Sequence, residues 1–158
     1  MYHSQEIINA SEKLKLNIQE LSSLESQSTM LGILNRFCNK GIYKYPIWEN
    51  LIDSIAIDCK FSWSWFKEIL IEQELILFFE PDDDKKMFYF DNGKQIVEVL
   101  LNCYRFNFYI TNLEQTFLFA YNDHDYLIAC GNAKEWLRSY ILEYFPNTIV
   151  HGGSSEIK

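Results

Sequence analysis

The sequence is poor in basic side chains. Lysine and arginine together number 14 in 158 residues, against 22 aspartates and glutamates, which gives a formal net charge of −8 with histidine neutral. Proteins that bind nucleic acids need basic side chains to displace counterions from the phosphates. This charge balance therefore argues against a nucleic-acid partner.

Long apolar runs and targeting features are also missing. No window reaches the roughly 18 consecutive apolar residues that a membrane span requires. The nearest candidate, 69–79, is interrupted by Glu72, Gln73 and Glu74. The N-terminal residues contain no basic segment followed by an apolar stretch, so we expect no secretory signal. We predict a cytoplasmic protein that does not associate with a membrane.

Short motifs that carry known chemistry are absent as well. The sequence has no GxxxxGK[ST] or GxGxxG phosphate-binding pattern, no HExxH and no GxSxG. Its four cysteines are widely separated, so no CxxC pair indicates zinc binding or redox exchange. We therefore predict no metal, no cofactor and no assignable catalytic residue. The cysteines are expected to be buried thiols in a reducing compartment.

The composition favours one folded domain. The chain is 48% apolar and 16% aromatic, which excludes wholesale disorder. Its length suits a single domain that buries roughly 70% of its unfolded surface. We assign residues 1–158 to one α+β domain. Its predicted parts are a helical portion (1–72), a sheet-containing portion (73–150) and a flexible tail (151–158).

Apolar residues at helical spacing predict four helices before residue 73. The first covers 4–25, and Ser28 or Thr29 would cap the second. Pro46 suits the first turn of the third helix, and Ser62 would cap the fourth. We therefore expect a helical N-terminal portion.

Short aromatic and β-branched runs after residue 73 predict five strands. Two further helices are predicted, over 94–104 and after Asn132, where Glu135 completes a capping-box pattern. Because helices and strands occur in separate blocks, the sequence predicts an α+β fold with a mainly antiparallel sheet. The predicted strands are 75–79, 87–90, 106–110, 117–121 and 126–130.

The densest cluster of charge lies between Glu72 and Asp91. This stretch contains seven acidic residues against two lysines, and its spacing does not match a calcium-binding loop. Two interpretations stay open: a solvated hairpin tip, or an acidic surface that attracts a basic partner. The centre of the stretch is Glu80, Asp82, Asp83 and Asp84.

A second acidic segment is Asp123-His124-Asp125. A histidine between carboxylates could serve as a general base or a metal ligand. In an extended strand, however, both aspartates would face away from His124. The alternative is a polar turn between two strands, with an aspartate making a side-chain turn bond.

Aromatic residues are dense between Ile42 and Phe66. Trp63 and Trp65 are two residues apart and cannot share one face of a helix, so one of them is expected near the surface. Core packing and an interface hot spot are alternative roles for this segment.

Three segments carry a resemblance to a known group of proteins. They are 106–112, 121–131 and 133–137. In these segments the chain is similar to a group of small bacterial proteins, and in general character, mainly over residues 74–141, it resembles the immunity proteins of bacterial polymorphic-toxin and contact-dependent inhibition systems. The resemblance implies a small, acidic, cytoplasmic α+β protein without a cofactor. Such a protein binds one cognate toxin domain, often a basic nuclease, and blocks its active site.

The leading hypothesis is therefore an immunity protein that neutralises its toxin through an acidic surface. Two alternatives stay open: a small enzyme centred on Asp123, His124 and Asp125, and a binding module that forms a homodimer through its aromatic residues. The residues predicted to bind the toxin are Glu80, Asp82, Asp83 and Asp84, with Asp123 and Asp125 as a second patch.

Overall fold

An eight-stranded antiparallel sheet with five α-helices forms the described part of the chain. The computed structural model describes residues 2–104 and 106–152. The helices are α1 (His3–Lys13), α2 (Ser23–Phe37), α3 (Phe66–Ile69), α4 (Gly93–Leu100) and α5 (Ala133–Tyr144). The strands are β1 (Gln19–Glu20), β2 (Ser54–Asp58), β3 (Leu75–Phe78), β4 (Phe88–Phe90), β5 (Phe108–Thr111), β6 (Phe117–Tyr121), β7 (Tyr126–Gly131) and β8 (His151–Gly152).

The strand order is β1-β4-β3-β5-β6-β7-β2-β8, and every neighbouring pair is antiparallel. This confirms the predicted α+β class with an antiparallel sheet. The five predicted strands correspond to β3–β7, with the β3–β4 hairpin and the β5–β6–β7 meander. The structure adds three strands that the sequence did not predict.

Both faces of the sheet are covered, which explains why its central strands are continuously apolar. Successive side chains of a strand point to opposite faces. In β3, Leu75 and Leu77 belong to the core cluster that includes residues of α1, α3, α4 and α5. Ile76 and Phe78 belong to the second cluster, with residues of α2.

Strand β2 replaces the predicted third helix. After Pro46, the chain forms only a short 3-10 turn (Ile47–Asn50) and then enters the sheet between β7 and β8. Ile55 and Ile57 pack into one core cluster and Ala56 into the other. Neighbouring residues can be buried on opposite faces of the sheet only in a strand. These long-range contacts therefore decide the conformation, although the local spacing of apolar residues is helical.

Helix boundaries in the first 40 residues also differ from the prediction. α1 ends at Lys13, and α2 begins at Ser23 after an N-cap at Ser22. Ser22 Oγ accepts a bond from Glu25 N at 3.1 Å, and Glu25 Oε1 accepts one from Ser22 N at 3.0 Å. This capping box lies upstream of the predicted caps, and Thr29 is instead buried within α2. The fourth predicted helix is a 3-10 turn (Ser62–Trp65) followed by α3.

The C-terminal elements agree in part with the prediction. α5 begins directly after Asn132, but the Asn132 side chain makes no capping bond, so the predicted capping box is not formed. Residues 151 and 152 of the predicted flexible tail form β8, which pairs with β2. The remaining tail residues, 153–158, lie outside the described part of the chain.

Candidate functional site

Loops from different parts of the sequence meet at one end of the sheet. Antiparallel pairing places the end of β3 beside the start of β5, the end of β6, the start of β7 and the end of β2. The segment 43–50 joins them, because Trp48 N donates to Tyr109 Oη at 3.1 Å. We call this the acidic end, after the carboxylates that lie in its loops and strand termini. They are Asp58, Asp82, Asp83, Asp123 and Asp125.

Three of the predicted toxin-binding residues are exposed at the acidic end. Asp82 and Asp83 are exposed in the loop between β3 and β4. The Asp123 side chain is 63% exposed, and its backbone N donates to Asn107 Oδ1 at 2.7 Å. Asp125 is half-buried at positive φ, and its Oδ1 accepts a bond from Tyr121 Oη at 2.8 Å.

Tyr45 links the two predicted patches. This side chain is 53% exposed. Its pKa is raised first by partial burial, then by the charges of Asp83 and Glu80, by a hydrogen bond to Asp83 and by the charge of Asp123. Asp83 and Asp123 therefore act on the same phenol. The loops predicted as separate patches form one surface.

Glu80 does not belong to that surface. It is 0% exposed, because it continues the alternation of Ile76 and Phe78 on the α2 side of the sheet. Both its oxygens accept from Ile47 N at 3.0 Å, and it also accepts bonds from Tyr109 Oη and, at 3.4 Å, from Tyr43 Oη. Burial raises the pKa of Glu80, and these bonds oppose the rise. Glu80 is an internal anchor that ties segment 43–47 to the sheet.

Asp84 is also structural, being only 8% exposed. Its Oδ2 accepts a bond from Ser4 N at 2.9 Å, and its Oδ1 accepts one from Lys86 N at 3.1 Å. Ser4 lies in the first turn of α1, where backbone N–H groups have no intrahelical acceptor. Asp84 therefore joins α1 to the β3–β4 loop.

Replacing Asp84 by alanine is expected to lower the free energy of unfolding by about 1–2 kcal/mol, the usual cost of losing a helix cap. Asp84→Asn should cost less, since an amide oxygen can still accept the bond from Ser4. Urea denaturation followed by circular dichroism measures both. Equal stability of Asp84→Ala and wild type would refute the capping role.

The sheet divides the acidic stretch of the sequence. Glu72 and Glu74 precede β3 and Asp91 follows β4, so these three carboxylates lie at the opposite end from Asp82 and Asp83. The charge that is continuous in sequence thus belongs to two surfaces. The acidic end instead includes Asp58 at the end of β2 and Asp123 in the turn between β6 and β7.

His124 lies in the exposed turn between β6 and β7. Its side chain is 65% exposed, and its Nε2 is 3.7 Å from Asp123 Oδ1, beyond hydrogen-bond distance. The turn is organised by Asn122, whose Oδ1 accepts bonds from His124 N at 3.0 Å and Tyr126 N at 3.1 Å. This geometry agrees with the polar-turn interpretation, although the bonding side chain is an asparagine rather than an aspartate. The imidazole also contacts the Trp48 ring edge-on, with centroids 6.0 Å apart.

Sequence reasoning missed Tyr45, Trp48 and Asp58. The aromatic density of 42–66 was a signal for the first two, but spacing alone could not show which rings face solvent. Trp48 is half-buried beside His124, while Trp65 is buried in the core. Asp58 lies at the exposed end of an unpredicted strand.

Possible metal ligands and thiols are a separate class of candidate site residues. Within residues 2–104 and 106–152, no three His, Cys, Asp or Glu side chains are placed so that together they could hold a metal ion. All four cysteines are free, and Cys38 and Cys130 are buried. Burial raises the pKa of Cys38 to about 11 and that of Cys130 to about 12, which suppresses their thiolates. No helix in these ranges is long and apolar enough to span a membrane.

Comparisons with known proteins add no further assignment. No family model matches the chain, and no curated protein or solved structure matches it. The resemblance to immunity proteins therefore stays a prediction.

Proposed function

We propose that this protein is an immunity protein that binds and neutralises a cognate bacterial toxin domain through the acidic end. The observation that carries the proposal is that strand pairing brings the loop of Asp83 and the turn of Asp123 to one end of the sheet. The turn also contacts the aromatic segment through the rings of His124 and Trp48. Two loops remote in sequence combine negative charge around one aromatic side chain. A basic toxin domain such as a nuclease is the partner that this surface complements.

The charges and the aromatic rings have different roles in the proposed complex. Clustered carboxylates imitate the phosphates of a nucleic acid, attract a basic cleft and raise the association rate. Tyr45 and the half-buried Trp48 supply apolar contact area, and tyrosine and tryptophan are enriched among the residues that dominate binding energy. The complex would therefore associate quickly because of charge and dissociate slowly because of packing.

The aromatic segment is held in place before any partner arrives. Glu80 fixes Ile47, and Asn50 Nδ2 donates to Lys44 O at 3.2 Å and to Pro46 O at 2.9 Å. A surface that is already ordered loses less conformational entropy on binding. This preorganisation supports a role in tight and specific protein binding.

Charge reversal at Asp82, Asp83 and Asp123 tests the proposal. We expect the Asp82→Lys/Asp83→Lys/Asp123→Lys variant to associate with the toxin domain about 10- to 100-fold more slowly, and with a weaker dependence on salt. Stopped-flow or biolayer kinetics over a range of salt concentrations measure both. The partner to use is a toxin domain encoded beside the gene for this protein. Asp84 is left unchanged because of its capping bonds.

The matched control reverses Glu72, Glu74 and Glu114, which are exposed at the opposite end of the sheet. The control variant has the same net charge as the test variant, so a general charge effect would slow both equally. Such an equal loss, or unchanged kinetics in the test variant, would count against the acidic end. Protection of host cells from the toxin by wild type and by the control, but not by the test variant, is expected.

A further inference from the structure

A cavity of about 600 Å³ opens between α2 and the β3–β4 hairpin. Phe78 and Met87 are buried in its lining, Leu21 and Met30 are half-buried there, and Leu31 lies exposed at its edge. The volume is within the range of small-molecule sites, and such sites are mostly apolar with a few polar groups. The lining therefore suits an apolar ligand.

The cavity results from small side chains in the N-terminal half of α2. The C-terminal half packs on the sheet through Ile33, Leu34 and Phe37. The residues that the N-terminal half buries are Ser26 and Thr29, and Ser26 lines the cavity. These side chains are too short to fill the space above Phe78 and Met87.

Four charged side chains line the cavity, two carboxylates (Glu20 and Asp84) and two lysines. The lysines are Lys85 and Lys86, the only two consecutive basic residues in the sequence. Lys86 Nζ lies 3.6 Å from Glu20 Oε1, whereas no ion pair within the described ranges involves Lys85. The nearby carboxylate of Asp84 accepts two backbone N–H bonds. Lys85 is thus the cation that remains to bind an anionic group.

We propose that this cavity binds a linear aliphatic carboxylate. The alkyl chain lies against Met30, Phe78 and Met87, and the carboxylate pairs with the ammonium group of Lys85. Methionine side chains are flexible and polarisable, so two of them in the wall adapt to a chain without fixed shape. This site goes beyond the proposed toxin binding and does not depend on it.

The chain has three methionines, of which Met30 and Met87 line the cavity, so methyl-labelled methionine gives a direct assay. Decanoate is the probe in a nuclear magnetic resonance titration, with 1-decanol and decylammonium as chain-matched controls. We expect decanoate to shift the Met30 and Met87 methyl resonances and to bind about fivefold more tightly than 1-decanol. Lys85→Gln should remove that advantage, while Lys94→Gln, on exposed α4 surface, should retain it.

Several outcomes would overturn the inference. Unshifted Met30 and Met87 resonances, or equal affinity for decanoate and 1-decanol, would do so. Shifts caused by anionic lipid vesicles but not by decanoate would indicate a membrane surface instead. Shifts caused only by the toxin domain, or by raising the concentration of the protein alone, would assign the cavity to a protein interface.

Discussion

Glu80→Ala is expected to lower the free energy of unfolding by about 3–5 kcal/mol at neutral pH. The substitution removes the acceptor for Ile47 N, Tyr109 Oη and Tyr43 Oη. A buried donor left without an acceptor costs about 1–3 kcal/mol, and a cavity adds to the loss. Urea denaturation measures the change. Segment 43–47 should also lose its order, so Tyr45 would no longer be held at the acidic end.

Glu80→Gln separates the acceptor role from the charge. The amide keeps the shape and one acceptor oxygen, so we expect a smaller loss of about 1–2 kcal/mol. If Glu80→Ala were as stable as wild type, the anchoring role would be refuted. If Glu80→Ala were destabilised but still bound the toxin normally, the position of segment 43–47 would not depend on this residue.

The pH dependence of stability tests the buried state of the same group. Burial raises the pKa of Glu80, so the folded protein holds this proton more tightly than the unfolded chain. The contribution of Glu80 to the free energy of unfolding is then greatest at low pH, and it is lost as the pH rises through the raised pKa. The difference in unfolding free energy between wild type and Glu80→Gln should therefore decrease as the pH rises above the ordinary glutamate pKa and through the raised pKa of Glu80. A difference that increases with pH would contradict the raised pKa.

Gly93→Ala is expected to destabilise the protein by about 3 kcal/mol, near the upper end of overpacking costs. Gly93 begins α4 where that helix crosses α3, and its N–H donates to Leu70 O at 2.9 Å. A Cβ at this position would overlap the Phe66 carbonyl oxygen and lie 2.9 Å from the Phe66 carbonyl carbon. Backbone cannot move aside as a side chain can, so the α3–α4 contact must open.

Gly32→Ala is the matched control for that substitution. Its Cβ would overlap only the end of the flexible Gln115 side chain. Gly32 lies inside α2, where alanine is favoured over glycine by roughly 0.5–1 kcal/mol. We expect Gly32→Ala to be neutral or slightly stabilising, and thermal unfolding compares the two variants. Similar losses of stability in both variants would show that the close approach of the Phe66 backbone is not the reason why Gly93→Ala is destabilising.

The strands of the second half of the chain were predictable because their signal is local. Runs such as 117–121 and 126–130 combine aromatic or β-branched residues with a polar turn between them, and the meander follows from that pattern. Strand β2 was not predictable in this way. Ser54–Asp58 pairs with β7 and β8, which lie far away in sequence, so its conformation depends on long-range contacts.

The candidate site shows the same division between local and long-range information. Its acidic character is visible in the sequence, as are the segments that contain Asp82, Asp83 and Asp123. The roles of neighbouring carboxylates are not visible there. Glu80 and Asp84 flank the exposed aspartates, yet the pleat of β3 buries the first and the N-terminus of α1 binds the second.

The sequence by itself showed a deficit of basic residues and a strongly acidic stretch from Glu72 to Asp91, and it was sufficient to predict the α+β class. Only the tertiary structure decided that this stretch contributes to two opposite ends of the sheet, and that Asp123 joins Asp83 around Tyr45. The physical reason is that charge is a property of each residue, whereas a surface depends on which distant strands pair. Antiparallel pairing separated neighbours in sequence and brought remote loops together.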